Sequence, residues 1–282
     1  MKIFAALSVL ALLLGSGEAY AKGPQRIVSA GGDITEIINA LGAGDRVVGV
    51  DSTSNFPPEM AEKEQIGYIR NLAAEGILSL QPDILIAAHD AGPPSVVAQL
   101  RAAGLKVELA PQGDSVAGVQ EKIRFVGNIL EMPEKAAVLA QKLEEQMAAS
   151  VEIANANKER PRVIFVLNIA DGAPLVGGRG TSAGSVIALA GGVNAADGFE
   201  GYKPMSQEAI ITAEPDILLM MSQTVDRLGS VDVILSRPEF QLTSAGENRR
   251  YVAMEGVLLF GFGPRLPQAV RDLAMALQQK GN

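Results

Sequence analysis

Short aliphatic runs alternate along this chain with segments whose apolar residues recur every three or four positions. Arg26-Ile27-Val28-Ser29, Val47 to Val50, Ile84 to Ala87 and Lys106 to Leu109 read as strands. After the first, Ile34, Ile37, Ile38 and Leu41 fall on one helical face, and Gly42-Ala43-Gly44 stops that helix. Gly31-Gly32 turns the chain into it, with Asp33 and then Glu36 as an N-cap signal. Ser52 to Pro58 reads as a polar loop closed by two prolines, Ala74 to Leu80 as a short helix and Pro82-Asp83 as a turn. Gly92-Pro93-Pro94 opens another helix that runs through Ala103. Strands alternating with helices predict a parallel sheet with helices packed on it.

The period then lengthens. Ser115 to Leu130 and Pro133 to about Asn157 read as helices, the second with proline in its first turn, where the missing N–H costs nothing. Leu139, Leu143 and Met147 keep helical spacing in it. At about 1.5 Å per residue such a helix reaches almost ~40 Å, long for a helix inside one domain and suited to a rigid connector. Arg160-Pro161 ends it, and Val163 to Leu167 starts a second α/β series. That series partly repeats the first. Glu75-Gly76-Ile77-Leu78 through Pro82-Asp83-Ile84-Leu85 aligns with Glu208-Ala209-Ile210-Ile211 through Pro215-Asp216-Ile217-Leu218, and Ala40-Leu41-Gly42 aligns more weakly with Ala188-Leu189-Ala190. The expected organisation is a leader over 1–21, an N-terminal α/β lobe over 22–132, the connecting helix over 133–159 and a C-terminal α/β lobe over 160–282. The expected fold class is α/β: two related lobes with mainly parallel sheets, joined by one long α-helix into a clamshell. Ligands commonly sit where such domains meet.

The leader follows from its own pattern. Lys2 precedes an apolar run from Ile3 to Leu14, too short to span a bilayer, and Ala19-Tyr20-Ala21 is an Ala-x-Ala cleavage signal. The chain has no cysteine, so it forms no disulfide and offers no thiol for a lipid anchor near that site. The expectation is an exported, soluble protein of the bacterial periplasm with its signal peptide removed. A net charge of -8, with no basic run, argues against nucleic acid as a partner.

The chemistry is sparse enough to stand out. There are four tyrosines, one histidine and no tryptophan or cysteine. Gly67-Tyr68-Ile69-Arg70 places a tyrosine two residues before an arginine, in a loop-like setting. A phenolate is a hard anionic ligand, a nearby guanidinium favours it, and tyrosinate is a known axial ligand of haem iron. The plain alternative is a packed ring and a solvated arginine.

The segments Val28-Ser29-Ala30-Gly31-Gly32, Gly67-Tyr68-Ile69-Arg70, Glu75 to Leu80, Ala91-Gly92-Pro93-Pro94, Gly178-Arg179-Gly180-Thr181, Gly201-Tyr202-Lys203-Pro204 and Gly261-Phe262-Gly263-Pro264-Arg265 carry a resemblance across nearly the whole mature chain. They resemble the periplasmic haem-binding proteins of bacterial ABC haem importers, in the helix-linked (class III) group of binding proteins that also serves cobalamin and siderophores. The resemblance implies a non-enzymatic, monomeric carrier of ferric haem that delivers it to a permease dimer with its ATPase. It implies Tyr68 as axial ligand, Arg70 as the support of its phenolate, and Glu75 and Glu208 as docking charges for the two permease subunits. For these two glutamates, capping of a short helix is the alternative. Arg179, in a glycine-rich turn, either binds a haem propionate or is solvated. Some members hold two haems and carry a histidine after the second lobe's first strand; Leu167-Asn168-Ile169-Ala170 has none, so one haem is expected. His89 reads as a loop residue bordering the cleft. Tyr202 and Tyr251 are reserve candidates for contact with the porphyrin.

The rivals within the fold are cobalamin and a ferric siderophore, although siderophore sites often use tryptophan. A zinc or manganese carrier lacks nitrogen and sulfur ligands here. The rival of another class is a secreted hydrolase, for which no Gly-x-Ser-x-Gly elbow or phosphate loop is present.

Overall fold

The computed structural model describes residues 23–156, 158–170 and 172–279; the leader assigned to 1–21 lies outside the described residues. The first sheet has the order β3-β2-β1-β6-β7, with β1 Ile27–Ala30, β2 Val47–Val50, β3 Glu64–Gln65, β6 Ile84–Ala87 and β7 Lys106–Leu109, all parallel. Between β3 and β6 lies a separate hairpin, β4 Gly67–Tyr68 with β5 Asn71–Leu72. Helices α1 Gly32–Ala40, α2 Ala74–Ser79, α3 Pro94–Ala102 and α4 Val116–Ile129 complete the lobe. β1 and β6 are buried along their whole length, which is why both read as unbroken aliphatic runs.

The second sheet is mixed. β8 Arg162–Ala170 pairs antiparallel with β9 Ala173–Gly177, and β9 pairs antiparallel with β11 Tyr202–Pro204. β10 Val193–Asn194 and β12 Ile217–Met221 run parallel to β8, and β13 Tyr251–Met254 runs parallel to β12. The short connection between β8 and β9 admits only an antiparallel pair, whereas a parallel one needs a crossover. Arg179 therefore follows β9, the second strand of this lobe. Helices α6 Ser182–Leu189 and α7 Gln207–Thr212 lie between these strands. Four short helices follow β12, namely α8 Ser222–Leu228, α9 Val231–Leu235, α10 Pro238–Gln241 and α11 Ser244–Glu247. After β13 come α12 Gly256–Phe260 and α13 Leu266–Gln278. The period of two divides the apolar side chains of β8 and β12 between two cores. Val163, Phe165, Ile217 and Leu219 join the core that continues into the first lobe, while Ile164, Val166, Leu218 and Met220 face Ile210, Ile234 and Phe240.

The repeated Pro-Asp segments do the same work twice. The Asp83 carboxylate accepts from the Arg26 backbone N–H at 2.8 Å, and Asp216 accepts from Arg162 N–H at 2.8 Å. In return Arg26 Nε donates to the carbonyl of Gln81 and Arg162 Nε to that of Ala213. Each aspartate thus fixes where the central strand of its sheet begins.

The long helix α5, Pro133–Ala156, is not a free strut. It buries Ala136, Ala140, Leu143, Met147, Ser150 and Ala154, a stripe spaced alternately four and three, against α4 on one side and α13 on the other. Small residues in the stripe let the helices approach closely. A Cβ on Gly127 of α4 would meet the Cβ of Ala136 well inside van der Waals distance. In an exposed helix, glycine to alanine stabilises by roughly 0.5–1 kcal/mol. Here overpacking wins, and Gly127→Ala is expected to destabilise the protein by about 1–3 kcal/mol in urea unfolding. A gain in stability would mean that the α4–α5 contact is looser than described.

Candidate functional site

The tyrosine-arginine pair sits on the small hairpin. Gly67 has φ +92, a conformation that L side chains rarely adopt. Ile69 and Arg70 form the turn between Tyr68 and Asn71. The hairpin is tied down on both edges: Ser52 N–H donates to Gly67 O at 2.9 Å, Gly92 N–H to Ile69 O at 2.9 Å, and Leu72 N–H to Gly92 O at 2.8 Å. Ile69 and Leu72 point into the core, while Tyr68 remains 44% exposed, so this ring is not held out of water by packing. The Arg70 guanidinium donates both to the Tyr68 hydroxyl and to the Asp90 carboxylate. Partial burial disfavours the Arg70 charge, but Asp90 and Tyr68 outweigh it and raise the Arg70 pKa above its usual value. The result is an exposed phenol oxygen with a permanently charged donor on it.

The opposite wall belongs to the second sheet. Tyr202 lies with its ring against Gly177 and edge-on to the fully buried Phe165 at 6.4 Å; Phe165 in turn meets Phe260 of α12 edge-on at 4.5 Å. α12 forms the floor between the walls. A Cβ on Gly32 would lie 2.6 Å from Val257, and one on Gly31 would lie 3.3 Å from Ile69. The hairpin and α12 therefore meet at the start of α1.

Below this floor the lobes are joined by charge. Asp33 does not cap α1. The cap position is Gly31, without a side-chain bond, and Asp33 and Glu36 both lie inside the helix, one turn apart and buried. Lys122 of α4 donates to Asp33 at 2.6 Å and reaches the Gly261 carbonyl at 3.3 Å. Arg265 pairs with Glu36, stands 3.7 Å from Glu255 and stacks 3.7 Å above the Phe56 ring centroid. The Gly-Phe-Gly-Pro-Arg segment thus serves as the joint between the lobes. A Cβ on Gly263 would come within 3.3 Å of Asp33 Cα, and Phe262 is buried. Burial pushes the Glu36 pKa up, with Asp33 and Glu255 adding to it, against the opposing pull of Arg265.

The remaining candidates are distributed as follows. Arg179 is exposed and donates to the Asp197 carbonyl, bracing the turn after β9. His89 is exposed beside Asp90. Asn168 accepts from Arg227 at 2.8 Å. Tyr251 begins β13, at the end of that strand away from Met254 and the floor helix, which separates it from the cleft. Glu75 and Glu208 are exposed in the first turns of α2 and α7, at matching places in the two lobes. The Glu208 pKa is lowered by its own backbone N–H and by the Ser206 hydroxyl, a capping arrangement. Reading along the chain assigned no role to Asp90 or Asp114, took Glu36 only as part of a helix start, and met Arg265 only within the Gly-Phe-Gly-Pro-Arg segment.

Comparison with known proteins follows this geometry. The periplasmic binding protein family matches residues 27–257. Among solved structures, the periplasmic heme-binding protein RhuT from Roseiflexus sp. RS-1, in apo form, is 42% identical with a TM-score of 0.88 over 92% of this chain and 100% of that one. A periplasmic heme-binding protein from Pseudomonas aeruginosa is 34% identical with a TM-score of 0.83 over 92% and 94%. Among curated relatives, the vitamin B12-binding protein of Vibrio campbellii is 27% identical over 73% of this chain and 74% of its own. The chain belongs to the periplasmic binding protein family, whose members named here are binding proteins. Among the described residues, no helix is long and apolar enough to cross a membrane.

Proposed function

We propose that the protein captures one ferric haem in the cleft between its lobes, with Tyr68 as the axial ligand, and hands it to an ABC permease for import. The observation that carries this reading is the exposed Tyr68 hydroxyl, fixed on an anchored hairpin and bonded by Arg70, itself held by Asp90. Ferric haem is a flat apolar disc with a hard Lewis-acid centre and open axial positions. A phenolate meets the iron and an adjacent guanidinium stabilises the ligand's charge. Cobalamin brings its own lower axial base and needs no such oxygen. The likeness to heme-binding structures at 42% and 34% identity supports haem further, against 27% for the vitamin B12-binding relative. The Leu167-Asn168-Ile169-Ala170 stretch carries no histidine and Asn168 accepts from Arg227, which supports one haem over two. Arg179 is assigned to a propionate on charge complementarity. The working division is 22–132 and 160–282 for the lobes, with 133–159 as connector, acting as a monomer in the periplasm.

Titration of the purified protein with haemin and, separately, with cyanocobalamin tests the reading. A tyrosinate-type ferric spectrum at one haemin per chain is expected. Binding of cobalamin without a haemin complex would replace haem by cobalamin.

We assign Glu75 and Glu208 to permease docking, each pairing with a cation of one subunit. Ion pairs at such an exposed rim act mainly on orientation and association rate, so their effect depends on salt. In the double variant Glu75→Lys, Glu208→Lys, haemin binding in solution is expected to persist while uptake through the reconstituted transporter falls about tenfold or more, since like charges juxtaposed across an interface cost several kcal/mol. Normal uptake would leave both glutamates as helix-capping residues only.

A further inference from the structure

We propose that Tyr202 forms the distal wall of the haem site: its ring packs on the porphyrin face opposite Tyr68, and its hydroxyl donates a hydrogen bond to the water or small anion in the iron's sixth position. The inference rests on the haem reading above and adds the residue that decides what the second axial position accepts. The placement comes from contacts. Tyr68 and Ile69 are neighbours on the hairpin, Ile69 approaches Gly31, Gly32 approaches Val257, and α12 carries Phe260 onto Phe165 and so onto Tyr202. Tyr68 and Tyr202, both exposed, therefore border the same opening, with the short helix α12 between them. Tyr202 is 39% exposed, yet its ring is braced by Phe165 and Gly177, which makes it a firm aromatic surface and not a mobile side chain.

The two phenols have different neighbours. Tyr68 carries a guanidinium on its oxygen. For Tyr202 the balance is the reverse: burial, then the negative charge of Asp114 in the first lobe, push its pKa above the ordinary tyrosine value. The Ala183 N–H, Thr181 and the charge of Arg70 pull the other way without cancelling this. Tyr202 thus keeps its proton at neutral pH and acts as a donor, while the Tyr68 oxygen accepts from the Arg70 guanidinium. Two phenols with unlike surroundings divide the roles of ligand and donor between them.

Fluoride reads this directly, because it binds ferric haem as a small anion and accepts a hydrogen bond. In the haemin complex of Tyr202→Phe, haemin affinity is expected to stay within about threefold, since the ring remains, while fluoride binding weakens about tenfold or more, the scale of a hydrogen bond to a charged group. Tyr202→Ala, which also removes the ring, is expected to lower haemin affinity about tenfold, the scale of a buried aromatic contact. Unchanged fluoride affinity in Tyr202→Phe overturns the inference alone. Loss of the tyrosinate spectrum in that variant also overturns it, by making Tyr202 the iron ligand. Absence of any haemin complex in the unaltered protein overturns the haem reading, and this inference with it.

Discussion

Replacing Tyr68 with alanine is expected to lower haemin affinity by more than ~100-fold and to abolish the tyrosinate-type bands of the complex. Loss of a residue that merely supports a metal ligand typically costs ~10–100-fold. Loss of the ligand itself should exceed that, because the bond to the iron is removed and not only its support. Tyr68→Phe separates the oxygen from the ring and should behave alike. Arg70→Ala should fall in the supporting range, because Arg70 bonds the phenol oxygen and not the iron. Folding should be spared in all three variants. Tyr68 and Arg70 are largely exposed, and substitutions at such places usually change stability by less than ~0.5 kcal/mol. Equilibrium haemin titration with the visible spectrum is the measurement. A Tyr68→Ala protein with unaltered affinity and spectrum would remove the assignment.

The largest effect on stability is expected at the joint between the lobes. Arg265→Met should destabilise the protein by about 3–5 kcal/mol at neutral pH, because it leaves the Glu36 carboxylate buried without its partner. The cation over the Phe56 ring is lost as well. The loss should shrink as the solution is acidified and Glu36 takes up a proton, and Glu36→Gln placed in the Arg265→Met background should recover part of it. In the unaltered protein the direction follows from burial. The folded-state pKa of Glu36 is raised above 4.5, so between the two values the folded state binds more protons than the unfolded chain. Its contribution to stability is fully present below the unfolded value and is lost as pH rises through the folded one. Urea unfolding of the unaltered and Glu36→Gln proteins across that window measures the difference. An Arg265→Met penalty that does not vary with pH and is not relieved by Glu36→Gln would show that the pair does not bear on the joint.

This joint is also where reading along the chain falls short. Asp33 and Glu36 have the spacing of a helix start, and sequence reading takes them as one. Their partners lie 89 and 229 residues away, so nothing local distinguishes a cap from a buried ion pair. Burial reverses the physics: near a helix end a carboxylate is stabilised by backbone N–H groups, whereas in the core it requires a cation.

The sequence by itself determined four of the five strands of the first sheet, since β2, β6 and β7 coincide with their aliphatic runs and β1 is displaced by one residue; the polar pair Glu64–Gln65 of β3 carries no such signal. It determined the helix from Pro133 and the internal repeat, because these depend on local periodicity and on proline, glycine and aspartate at fixed spacing. It singled out the Tyr68–Arg70 pair, since the two residues are close in the chain and the composition is otherwise poor in ligands. Only the tertiary structure decided what surrounds that pair. It brought Asp90 onto Arg70, braced the Tyr202 ring with Phe165, placed Tyr251 at the start of β13, and engaged Arg179 with the Asp197 carbonyl. It also turned the second sheet partly antiparallel, because a two-residue connection follows β8 where the first lobe has crossovers. Local pattern reports which face of an element is apolar. Which elements then meet, and which charges they bury together, is set by the packing of the whole chain.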